Sequence, residues 1–197
     1  MATRIPLFPL GTVLFPGGRI PLKIFETRYV DMVSRSMRES APFGIVGIIS
    51  GREVGLTPEF HRVGTTATIE SWDQGADGLL HIVALGAEVF EIVEFSVAND
   101  GLALADVTLR TATPSGQVPL KFAPLRQLLQ EIYERQADLA PPLPWLWDDA
   151  DWIAYRLAEI MPVPIEQRVE ALGMSGAEER LALISAWMEG REIDRDT

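Results

Sequence analysis

A chain of 197 residues, 47% of them hydrophobic, is long enough for one large domain or two small ones and too apolar to be disordered. Its net charge of −11 disfavours a nucleic-acid partner, since a phosphate backbone would be repelled. With no cysteine there is no disulfide, thiolate metal site or cysteine nucleophile. Along the chain, Pro6 to Leu22 comes first. It is apolar but holds Pro6, Pro9, Pro16 and Pro21, which rule out a long helix or a central strand. Short strands joined by bends are expected, with Gly17-Gly18 as a turn and Phe8, Val13 and Leu14 in the core. A helix is expected over about residues 26–38, with Tyr29, Met32, Val33 and Met37 on its buried face. Strands follow at 43–49, 63–72, 79–85, 88–95 and 102–109, separated by the turns Asp73–Gly78 and Asn99-Asp100-Gly101. Short strands at this spacing suggest a small barrel.

From about residue 118 the apolar period becomes helical. Phe122, Leu125, Leu128, Leu129 and Ile132 form one stripe, broken by Ala140-Pro141-Pro142-Leu143-Pro144. Asp148 and Asp149 are N-cap residues for a helix through about Ile160. Pro162 and Pro164 end it and start another, which stops at Gly173. Ser175-Gly176-Ala177-Glu178 has capping-box spacing before a stripe of Leu181, Ile184 and Met188.

Few residues suggest chemistry. The two lysines, Lys23 and Lys121, both follow leucine, so neither belongs to a phosphate-binding G-x-x-x-x-G-K-[ST] loop. His61, placed in a loop, and His81, in a strand, have no partners at metal-ligand spacing. Asp73 and Asp77 flank a glycine turn, and a calcium loop would need further oxygen ligands. No metal and no cofactor are expected. The start Met1-Ala2-Thr3-Arg4-Ile5-Pro6 is not a signal peptide and no 18-residue apolar run exists, which points to the cytoplasm and away from membranes.

The opening P-L-F-P-L of Pro6–Leu10, the F-P-G of Phe15–Gly17, the I-P-L of Ile20–Leu22 and the I-F-E-x-R-Y of Ile24–Tyr29 together resemble the Lon N-terminal domain, the substrate-recognition module of ATP-dependent Lon proteases. The resemblance continues in Trp152–Ile160, in Met161-Pro162-Val163-Pro164, in Ile165-Glu166-Gln167-Arg168 and in Glu178-Glu179-Arg180-Leu181. It implies an α+β protein of bacterial type. Residues 1–117 would form a small, mostly antiparallel barrel similar to the PUA-like RNA-binding barrels, with one helix. Residues 118–197 would form a helical bundle. The ATPase module and the serine–lysine protease module are not found in these residues, so the resemblance implies the recognition part alone, without catalysis. Its expected partners are unfolded or extended apolar protein segments, with a protease or chaperone as a further partner. RNA binding is the alternative, opposed by the charge. Aromatic residues in proline-rich surroundings, Phe15, Phe25, Trp145 and Trp147, are the expected peptide-binding residues, although for Trp145 and Trp147 a packed connector is the favoured reading. Trp72, at a hairpin end, carries the same two readings.

Overall fold

The computed structural model of the chain describes residues 3–110 and 116–195. It is a mixed α+β structure with six strands in one sheet and five α-helices among the described residues. Two compact units divide it, Met1–Thr111 and Ala112–Thr197.

The first unit holds β1 (Thr3–Leu10), β2 (Arg19–Ile24), α1 (Thr27–Glu39), β3 (Phe43–Ser50), β4 (Glu59–Gln74), β5 (Leu80–Val97) and β6 (Ala103–Leu109). The strand order is β2-β5-β4-β3-β1-β6, and β6 also pairs with β5. The β1–β3 pairing is parallel and the others are antiparallel. Although β1 sits between β3 and β6, it pairs with β6 over Thr3–Leu7 and with β3 only over Leu7–Leu10. Pro6 and Pro9 therefore each lie where the strand has a single neighbour, and a missing N–H can face the unpaired side. That offset lets a strand with two prolines occupy an inner place, which the rule against proline in a central strand excludes only where both sides are bonded.

Alternation along β1 gives the sheet two apolar faces. Ile5 and Leu7 join Val46, Phe60, Phe90, Ile92 and Val107 in one cluster. Phe8 and Leu10 join Leu14, Ile24, Ile45 and Ile82 in another, which α1 covers with Tyr29, Met32 and Val33. The Phe8 and Tyr29 rings stack at 4.1 Å. The buried row of α1 continues to Ser36, whose hydroxyl donates to the Ala41 carbonyl at 2.5 Å, whereas Met37 is exposed. Seven residues after Tyr29 the helix returns to position 36, so the expected burial of Met37 is corrected.

Where two strands were expected, at 79–85 and 88–95, there is one, β5. Its Gly86 accepts from the Gly17 N–H at 2.8 Å and donates to the Gly18 carbonyl at 2.9 Å. A Cβ at Gly86 would lie 2.2 Å from the Phe15 carbonyl oxygen. The glycine thus lets the 15–18 turn pack onto an unbroken strand rather than ending it. Gly86→Ala is expected to destabilise the protein by about 3 kcal/mol in denaturant unfolding, since the clash is with backbone. His61, expected in a loop, is part of β4, and its buried Nε2 has no hydrogen-bond partner.

The second unit holds α2 (Ala123–Arg135), α3 (Ala150–Ile160), α4 (Ile165–Gly173) and α5 (Ala177–Arg195). Asp149 caps α3, accepting from the Trp152 N–H at 2.7 Å. Pro164 precedes α4, and Arg180 N–H donates to Gly176 to open α5. Arg180 is buried at the meeting of these helices. It donates through Nε to Ala171 O at 2.8 Å and through Nη2 to Met174 O at 2.6 Å, and pairs through Nη1 with Asp151. Its guanidinium also lies over the Tyr155 ring at 4.3 Å. No helix among the described residues is long and apolar enough to cross a membrane.

Candidate functional site

Among the described residues β2 pairs only with β5, and it forms the open edge of the sheet. Because Gly86 bonds the Gly17–Gly18 turn, alternation along the antiparallel ladder turns the backbone of Arg19, Pro21 and Lys23 away from β5. Pro21 sits at one of these outward positions, so it costs the ladder no hydrogen bond. The same feature blunts the edge against unspecific strand pairing.

Two recesses border this edge and share Pro21, Leu22 and Lys23. One, of about 520 Å³, is bounded by Trp72 on β4 and by Ile82 and Val83 on β5. The other, of about 270 Å³, is bounded by Phe8, Leu10, Phe25, Tyr29 and Val54. Trp72 also walls a recess of about 380 Å³ against Met37, Ala41 and Ile69. Trp72 is 60% exposed and Phe25 52%, unusual for side chains of this size. The apolar side chains bordering the first two recesses, Trp72, Pro21, Leu22 and Phe25, are termed the strip across β2; exposed apolar side chains of this size suit the burial of apolar ligand side chains.

Both cations of β2 are paired with carboxylates. The Arg19 guanidinium donates to both Glu70 oxygens, at 2.7 and 2.6 Å, and this bond holds the Glu70 carboxyl below its ordinary value. Lys23 Nζ lies 2.7 Å from Asp77 Oδ2, Leu79 N–H donates to Asp77 Oδ1 at 3.1 Å, and His81 Nε2 is 3.2 Å from that oxygen. The Lys23 bond, followed by the Leu79 amide, pulls the Asp77 pKa down to about 2. Depressed in the folded state, this group contributes stability above its ordinary value of 3.8 and loses it as pH falls toward about 2. Lys23→Met should move the Asp77 carboxyl back toward 3.8 in an NMR titration. An unmoved titration would remove Lys23 as the cause.

The four residues singled out from the sequence have different fates. Phe25 is exposed and borders the smaller recess. Phe15 has no exposed surface, because the 15–18 turn folds back onto β5, so its expected role as a contact residue is corrected. Trp145 and Trp147, in the second unit, are half-buried in a cluster with Tyr133 and Trp152, with centroids 5.3 to 6.4 Å apart. Trp145 Nε1 donates to the Pro141 carbonyl at 2.8 Å. The side chains this connector turns outward are Leu143 and Leu146. Burial raises the Tyr133 hydroxyl pKa above its ordinary value. Sequence reasoning missed Val54 and Leu56, because nothing marks a lone aliphatic residue in a glycine-bounded loop. No group of three His, Asp or Glu side chains that could hold a metal ion occurs among the described residues.

Comparison with known proteins shows the family of the chain. The family model for the ATP-dependent protease La (LON) substrate-binding domain matches residues 4–190. A solved Lon N-terminal domain protein from Xanthomonas campestris is 32% identical, with a TM-score of 0.78, over 94% of this chain and 98% of that one. The N-terminal domain of a Mycobacterium avium complex Lon protease shares the fold at a TM-score of 0.65 and 19% identity, over 95% of this chain and 98% of that one. Lon protease 2 of Herpetosiphon aurantiacus is 27% identical across 97% of this chain, and the Lon protease of Phenylobacterium zucineum 29% identical across 46%. The chain spans only 24% and 12% of the length of these two relatives. It belongs to the family of Lon substrate-binding domains.

Proposed function

We propose that the chain binds unfolded or extended protein segments, without catalysis of its own, by burying their apolar side chains on the strip across β2. Family membership supports a substrate-binding role. The observation that carries the finer reading is the pair of large exposed aromatics, Trp72 and Phe25, flanking recesses that meet at Pro21 and Leu22. Because Arg19 and Lys23 are each paired with a carboxylate of the chain itself, the strip selects for apolar content rather than for acidic groups. In this reading the ring of β5, β4, β3, β1 and β6 serves as a small PUA-like barrel that fixes the strip. The helices from about residue 118 form a bundle. Clients, and any protease or chaperone that acts on them, are met in the cytoplasm. The net charge of −11 works against RNA as the ligand.

The test is fluorescence anisotropy with one protein in two states. Reduced, alkylated α-lactalbumin should bind, its native form should not, and single-stranded RNA should not. Equal binding of native and unfolded forms, or tighter binding of RNA, would overturn the reading.

A further inference from the structure

We propose that residues 51–58 form a substrate-engaging arm beside the strip, with Leu56 and Val54 as its contact side chains and Arg28 as the residue that positions it. This inference rests on the reading above and adds a part that the family assignment does not name. Leu56 is 92% exposed, and Val54 walls the recess that holds Phe25. Gly51 and Gly55 have φ of 103° and 95°, conformations that any other residue would adopt only under strain, so both bends depend on glycine.

The arm is held out at three points rather than packed down. Glu53 Oε1 accepts from Gly11 N–H at 2.5 Å, and Gly55 N–H donates to Glu26 Oε2 at 3.4 Å. The Thr57 hydroxyl donates to the Gly101 carbonyl at 2.8 Å. Two of these three anchors meet at one buried side chain. Arg28 Nη1 donates to the same Gly101 carbonyl at 2.7 Å, and Nη2 pairs with Glu26 Oε2 at 3.0 Å. Its guanidinium lies 4.6 Å over the Tyr29 ring, in the wall of the Phe25 recess. Arg28 thus sets both anchors from beneath while contacting no client. The occupant fitted by this arrangement is an apolar side chain of an extended segment, seated between Phe25 and the arm. The polar anchors hold the backbone so that leucine and valine can stay exposed until that side chain arrives.

The test uses the full chain and alkylated α-lactalbumin as probe, with affinity, amide hydrogen exchange over 51–58 and the unfolding midpoint read on each variant. Leu56→Ser should weaken binding about tenfold with exchange and midpoint unchanged. Thr57→Val should speed exchange in the arm and weaken binding severalfold, and Thr57→Ser, which keeps the hydroxyl, should restore both. Arg28→Gln should reproduce Thr57→Val more strongly; should it fail to fold, the Thr57 pair decides. Unchanged affinity in Leu56→Ser, or faster exchange in Thr57→Val without loss of affinity, overturns the arm. If Trp72→Ala leaves affinity intact, the strip itself is wrong. If Trp72→Ala weakens binding and Leu56→Ser does not, only the arm is.

Discussion

Trp72→Ala is expected to weaken binding of an unfolded client about thirtyfold while shifting the unfolding midpoint by no more than ~2 °C. A central aromatic anchor contributes about 2 kcal/mol or more to an interface, which gives this factor. Trp72 is 60% exposed near the end of the β4–β5 ladder, so the folded chain loses little packing when it is truncated. Phe25→Ala should act in the same direction, and because a different recess holds it the two effects should be close to additive. Trp145→Ala should show the opposite pattern. Its ring packs against Tyr133 and Trp147 and its Nε1 is hydrogen-bonded, so stability falls and client affinity in the folded fraction does not. Calorimetry and anisotropy on the same three variants separate these outcomes. Lost affinity in Trp145→Ala with an unchanged midpoint would return the binding surface to the proline-rich connector.

Arg180→Ala should destabilise the second unit by about 3–5 kcal/mol, the largest stability effect expected in the chain. The guanidinium is buried and satisfies the carbonyls of Ala171 and Met174 and the Asp151 carboxylate. Removal leaves those acceptors without their donor at the place where α3, α4 and α5 converge. Arg180→Lys should recover only part of the loss, because one ammonium cannot donate in the fork's three directions. Denaturant unfolding followed by far-ultraviolet circular dichroism reads the effect, since this unit is helical. A loss below about 1 kcal/mol would mean that the guanidinium is replaceable by water.

How far the sequence reveals this architecture depends on whether the signal is local. Asp149 as an N-cap, Pro164 before α4 and Gly173 at its end are local chemistry, and each appears at its expected place. Strand existence was legible from β-branched runs. Strand continuity was not, because what keeps β5 whole is the turn of residues 15–18 docking on Gly86, a contact distant in sequence. The same turn explains Phe15. A phenylalanine between leucine and proline reads as exposed until a fold-back puts it in the core. Pro6 and Pro9 carried a correct local rule to a wrong conclusion, since the staggered pairing of β1 gives each a free side. Met37 fell one position past the helical row that ends in Ser36. At the candidate site, Phe25 stood out for its aromatic ring beside a helix start. Trp72 was ambiguous without knowing what covers the hairpin end, and Leu56 carried no local signal at all.

Site-specific photo-crosslinking tests the central claim most directly. A benzoylphenylalanine placed at position 72, and separately at positions 25 and 146, is irradiated with alkylated α-lactalbumin and the adducts are mapped by mass spectrometry. The proposal that clients lie on the strip across β2 requires strong adducts from positions 72 and 25, at apolar client residues, and at most weak ones from 146. Strong adducts from 146 with none from 72 or 25 would contradict it.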